Sequence, residues 1–160
     1  MIESSSVDSY RRRLQVEGSA LAAYGAVATA AVLTFGPGAT NGPASTAVQL
    51  VIVAMLMATF GVRSVRRALA GAEVYEDEVG SGEPTSTWTL AGIVAGLTLG
   101  FGFGAGWDAG LRVGGGCIIV GLAQALLFEW IVAREERRTN QSFHRKPGSS
   151  LFTGTRLGAR

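Results

Sequence analysis

Thr85 to Asp108 reads TSTWTLAGIVAGLTLGFGFGAGWD and carries no charge between Glu83 and Asp108. A tryptophan stands near each end, Trp88 and Trp107, and glycine recurs at Gly92, Gly96, Gly100, Gly102, Gly104 and Gly106. The 19-residue separation of the two tryptophans corresponds to about 28 Å of helix, close to the hydrocarbon thickness of a bilayer. The stretch therefore reads as a membrane-spanning helix with a glycine face.

The rest of the chain agrees in how its charge is distributed. Hydrophobic residues make up 48% of the 160, an ordinary share, so the total decides nothing. Their grouping does decide, because charge is also absent from Gly18 to Val62 and from Val113 to Phe128. Charge-free apolar runs of about 18 residues or more are the mark of transmembrane helices, whereas soluble amphipathic helices carry charges every few residues. The expected fold is all-α, an integral membrane bundle of four helices in two hairpins. Spans are expected at about 18–36, 45–63, 86–107 and 112–133.

These spans leave a cytoplasmic N-terminal segment 1–16, a connection 64–85 and a disordered basic tail 134–160. GPGATNGPA, Gly36 to Ala44, is a turn with two prolines and three glycines, and Ser45 is the expected cap of the second helix. Arg63 to Val79 reads as an amphipathic extension with Val65, Leu69, Ala72 and Val79 on one face. Its acidic end, Glu73, Glu76, Asp77 and Glu78, opposes the helix dipole, so fraying near Gly71 is expected. Trp107 to Leu111 reads as a very short outer loop with Asp108 as the next N-cap.

Orientation follows from the basic residues. Arg11, Arg12 and Arg13 precede the first span, and Arg63, Arg66 and Arg67 follow the second. Arg134, Arg137, Arg138, Arg145, Lys146, Arg156 and Arg160 follow the fourth. Only Arg112 of the fourteen lies at a hairpin tip, which places both termini in the cytoplasm by the positive-inside rule. Trp88 and Trp130 then fall at the inner interface and Trp107 at the outer one. Ala28-Thr29-Ala30 offers a signal-peptidase pattern. The leader nevertheless contains Glu3, Asp8 and Glu17, and the apolar run continues to Phe35, so an uncleaved span in the cell membrane is expected.

The candidate functional residues are few. Gly92, Gly96, Gly100 and Gly104 form a row at four-residue spacing, and the first span has Gly18, Ala22, Ala26 and Ala30; Gly121 lies in the fourth. Small residues let helix backbones approach in lipid, so packing inside the bundle is expected, or association with a second copy or another membrane protein. Gln49, Gln124 and Glu129 are the polar residues within spans. Glutamines there act as interhelical glue, and Glu129, one residue before Trp130, is shallow enough to pair with Arg63. Gly104 to Ala109 matches a dinucleotide-binding fingerprint formally, but no strand precedes it. Asp108 and Arg112, four apart, read as an ordinary surface pair.

One cysteine, Cys117, and one histidine, His144, exclude a disulfide within the chain and a cluster of such ligands on a metal. No nucleophile, base and acid set can be assembled, so no catalytic residue, cofactor or metal is expected. Nucleic acid is not an expected partner; the bilayer is, with anionic lipid at the basic termini. Two functional classes follow: an accessory, scaffolding or assembly subunit acting through helix association, or a small transporter, channel or holin-like pore using the polar residues of the bundle.

Overall fold

In the computed structural model, residues 9–38, 43–74, 87–145 and 157–159 are described. The polar start 1–8, the acidic residues Glu76, Asp77 and Glu78, and Lys146, Arg156 and Arg160 lie outside them, as does the side chain of Trp88.

Helix dominates. α1 spans Tyr10–Phe35 and α2 spans Pro43–Leu56. A π-helical turn, Met57–Gly61, carries α2 into α3, Val62–Ala70. α4 is Thr87–Ala105 and α5 is Trp107–Leu122. A second π turn, Ala123–Phe128, carries α5 into α6, Glu129–Thr139. Three stretches, Tyr10–Phe35, Ala44–Ala70 and Trp107–Thr139, are long and apolar enough to cross a membrane, and Ala91–Ala105 within α4 is a shorter apolar helix.

Helix boundaries differ from expectation where local chemistry allows. α1 begins at Tyr10, eight residues before the apolar run, because Ser9 Oγ accepts from the Arg12 N–H at 3.3 Å and so caps it. α2 begins on Pro43, whose missing N–H costs nothing in a first turn, so Ser45 is inside the helix rather than its cap. α3 ends at Ala70 with Gly71 as C-cap, and Val65 and Leu69 are its buried residues.

The outer loop expected at Trp107 to Leu111 does not exist. α4 and α5 are separated by Gly106 alone, at φ 99°, a conformation that glycine adopts without steric cost. Trp107 opens α5, and its N–H donates to the Pro37 carbonyl at 3.3 Å, which ties this corner to the end of α1.

α1 and α5 form the central pair. α4 leans on both, and α2 lies against α5. Outward from the bundle stand Val27, Leu33, Phe35, Val48, Met55, Phe60, Leu97, Phe101 and Leu126, large apolar side chains without cover. A soluble surface rarely carries so continuous an apolar belt, and a bilayer accepts it.

A cluster of buried apolar side chains lies at the other end, where arginines are dense. Tyr10, Leu14, Val65, Leu69, Phe128, Ile131, Val132 and Phe143 form it. Phe143 comes from the tail, so the expectation of a disordered 134–160 is corrected for 134–145 and 157–159; residues 146–156 and 160 lie outside the described residues. α6 runs to Thr139, Asn140 turns in the left-handed region at φ 52°, and β2, Phe143–Arg145, follows. β2 pairs antiparallel with β3, Leu157–Ala159. β3 also pairs in parallel with β1, Glu73–Val74, so a three-stranded sheet in the order β1-β3-β2 qualifies the all-α expectation. Burying Phe143 provides an energetic reason for the tail to return: the sequence around it is polar, but this one ring removes a large apolar area from water.

Candidate functional site

Glycine decides the geometry of the helix contacts. A Cβ at Gly18 would stand 2.6 Å from the Gly121 carbonyl oxygen and 2.7 Å from the Ala125 nitrogen. One at Gly25 would stand 2.9 Å from the Gly114 carbonyl oxygen. α1 and α5 therefore run antiparallel at backbone contact, and no larger residue fits at these points. The α1 seam is Gly18, Ala22, Gly25, Thr29 and Val32, steps of four and three alternately, the spacing that keeps a seam facing its partner.

Two of the expected packing residues, Ala22 and Gly121, are in this seam: a Cβ at Gly121 would lie 3.0 Å from Ala22 Cβ. Ala26 and Ala30 are exposed. A strict four-residue row rotates about 40° per step around a helix, so a row that starts in the seam drifts out of it.

Two rows at the same four-residue step lie on α4, offset by two residues, which puts them about 200° apart around the helix. The side that meets α1 and α5 is Val94, Thr98 and Gly102, all buried, with Gly102 against Val32. Gly92, Gly96, Gly100 and Gly104 point away: a Cβ at any of them would meet nothing within 4 Å among the described residues. The expectation that this row packs inside the bundle is thus corrected. Ile93, Leu97 and Phe101 flank it, about half exposed, so the open face is a shallow groove beside an apolar ridge.

Of the polar residues, Gln49 is exposed on α2, facing away from the bundle. Gln124 is half-buried in the second π turn, with its Cβ 3.0 Å from where a Gly18 Cβ would be. Glu129 pairs with Arg11, not with the expected Arg63. The cause is the start of α1 at Tyr10, which lays Arg11 beside the first turn of α6.

Sequence reasoning missed the outer polar cluster. Asp108 is fully buried in the first turn of α5, where the helix dipole favours a carboxylate. Arg112 Nη2 lies 3.4 Å from Asp108 Oδ2, donates to Ser45 Oγ at 2.9 Å, and Arg112 Nε donates to Thr46 Oγ1 at 3.3 Å. Thr46 is itself buried, and Arg112 is 24% exposed. One guanidinium thus fastens α2 to α5 at the end where Gly106 turns the chain. A signal existed: Asp108 and Arg112 are opposite charges one helical turn apart between two charge-free runs.

Thr29 Oγ1 and Thr98 Oγ1 are buried at the α1, α4 and α5 junction without a hydrogen-bond partner among the described residues. Thr34 and Thr59 instead donate to the carbonyls of Ala30 and Met55 four residues back, the usual solution in lipid. Cys117 is half-buried against Gly25, and His144 Nε2 lies 3.2 Å from Ser142 Oγ. Among the described residues no three His, Cys, Asp or Glu side chains group as metal ligands. Gly106, the centre of the formal dinucleotide fingerprint, is a break between two helices, and what leads directly into it is α4 rather than a strand. Set against known proteins, the chain matches no family model, and no curated protein or solved structure is similar to it.

Proposed function

We propose that this chain is a four-span protein of the cell membrane, with both termini and the 64–85 connection in the cytoplasm. On this reading it acts through helix association rather than catalysis. It presents the outer glycine face of α4 to a second membrane helix, in another copy or another membrane protein, as an assembly or scaffolding subunit.

The observation that carries the reading is the division of the glycines. Gly18, Gly25, Gly102, Gly110, Gly114 and Gly121 are used up by contacts within the bundle, while a Cβ on the regular row Gly92, Gly96, Gly100 and Gly104 meets nothing within 4 Å among the described residues. Glycine in a helix interior costs about 1 kcal/mol against alanine, so an unused row of four is an expense with no return inside the monomer. In lipid, where apolar surfaces gain little by meeting, such a row is the means by which helices come close. Gln49, also facing outward, adds a hydrogen-bonding group that a partner helix satisfies and lipid does not. The pore reading has less support, since Glu129 is spent on Arg11 at the inner end and Gln49 faces away from the bundle.

Two measurements test this. Reporter fusions at Asn41 and Gly82 should appear on opposite sides of the membrane; the same side for both refutes the topology. Gly96→Ile and Gly100→Ile should abolish crosslinking to a second membrane protein or copy in native membranes and leave the thermal unfolding of the isolated chain in micelles unchanged. Wild-type protein that yields no crosslinked species in its own membrane, or isoleucine variants that crosslink undiminished, sink the association reading.

A further inference from the structure

One exposed row of the α5 to α6 helix changes character along its length. Leu122 and Leu126 stand out of the bundle, the latter 65% exposed; Trp130 follows at 51%; Arg134 and Arg138 come next at the same four-residue spacing. Beside them α3 brings Arg66, Leu69 and Ala70. Between α3 and α6 these residues, with Ile131 and Glu135, line an open cavity of about 410 Å³. Its apolar floor is the buried pair Leu69 and Ile131, and Arg66, Arg134 and Arg138 rim it. Against these three guanidinium groups stands a single carboxylate, Glu135, whose Oε1 lies 3.3 Å from Arg138 Nε. Arg134 stacks over the Trp130 ring at 5.6 Å.

We propose that this cavity holds the phosphate of an anionic phospholipid from the cytoplasmic leaflet, with an acyl chain lying along Leu126 and Leu122. Guanidinium groups bind phosphate oxygens in pairs, and the excess of two positive charges selects a headgroup with net negative charge over a zwitterionic one. A soluble phosphate offers the same contacts to the arginines. What favours lipid is the direct continuity of the arginine row with an apolar row, with a tryptophan at the change, the usual level of the headgroups. The inference rests on the membrane topology proposed above and adds a ligand to it.

A variant with Trp88→Phe and Trp107→Phe leaves Trp130 as the sole tryptophan. In bilayers, its quenching by brominated phosphatidylglycerol should exceed that by brominated phosphatidylcholine, with a relative affinity of about fivefold or more. Adding Arg66→Gln, Arg134→Gln and Arg138→Gln should bring the two lipids to parity. If the tryptophan changes impair folding, native mass spectrometry of the unaltered chain, counting phosphatidylglycerol bound with and without the three glutamines, gives the same comparison. Equal quenching by both lipids with the arginines present overturns the lipid site and leaves the topology standing. Quenching by neither overturns the topology. A Trp130 emission change caused by inorganic phosphate in purely zwitterionic bilayers, without preference for phosphatidylglycerol, assigns the cavity to a soluble phosphate and overturns the lipid.

Discussion

The two ends of this bundle are held together by opposite kinds of residue. Across the apolar belt, α1 and α5 meet through Gly18, Gly25, Gly114 and Gly121, with backbone against backbone and little side chain between. At the arginine-rich end α1, α3, α6 and β2 meet through Tyr10, Leu14, Val65, Leu69, Ile131, Val132 and Phe143. The difference matches the solvent each region would have in the proposed topology, lipid at the belt and water at the arginine-rich end. Removing a leucine from water is worth about 2 kcal/mol, so a water-exposed end gains by burying large side chains. In lipid the same leucine gains nothing by turning inward. Dispersion contact and close approach decide instead, and both favour glycine. The exposed belt of Val48, Met55, Phe60 and Leu97 follows from the same point: in lipid, large side chains are left outside.

If the two ends are held so differently, they should fail differently. The largest effect is expected from Gly121→Leu. Its Cβ would meet the Gly18 carbonyl oxygen and the Ala22 nitrogen, which are backbone and cannot turn aside. Overpacking of this kind costs about 3 kcal/mol or more, and reversible unfolding in micelles should show the bundle largely lost. The corresponding change on the open row, Gly96→Leu, should leave that unfolding unaltered. A comparable loss from both would mean that the α4 row is packed after all.

Next comes Arg112→Met. It takes the cationic partner from a fully buried Asp108 carboxylate and removes the tie to Ser45 and Thr46, at a cost of about 3 kcal/mol. Asp108→Asn should cost clearly less, because Arg112 keeps Ser45 and Thr46. Equal losses from the two would show that the ion pair, not the buried charge, governs this end.

A smaller loss, about 2–4 kcal/mol, is expected from Leu14→Ala, which opens a cavity in the arginine-rich cluster. The contrast sharpens with Val27→Ala on the outward face of α1, which should be neutral in micelles. A large loss there would mean that Val27 has a neighbour within the folded chain.

Much of this was readable beforehand, for a stated reason. The charge-free runs and the arginine clusters fix which segments are apolar and where they stop, since composition along the chain controls transfer into lipid regardless of which helix touches which. The amphipathic α3 was legible for the same reason, with Val65 and Leu69 on one side and Arg63, Arg66 and Arg67 on the other. Phase was not legible. Gly92-x-x-x-Gly96 and Val94-x-x-x-Thr98 are both plausible seams on paper, and about half a turn of rotation separates them.

The sequence by itself determined the apolar helices, the glycine content that permits contact between them, and the one-sided distribution of arginine. Only the tertiary structure decided which glycines are spent and which remain, that Asp108 is buried with Arg112 across from Ser45 and Thr46, that Arg11 answers Glu129, and that Phe143 returns to close the arginine-rich end. Those facts depend on how far each helix is rotated and how far it extends. In α1 both were set by eight residues of added helix from Tyr10, and at Trp107 by a single glycine in a left-handed turn. Such small backbone choices have weak local signals, and they are settled by the contacts they make possible.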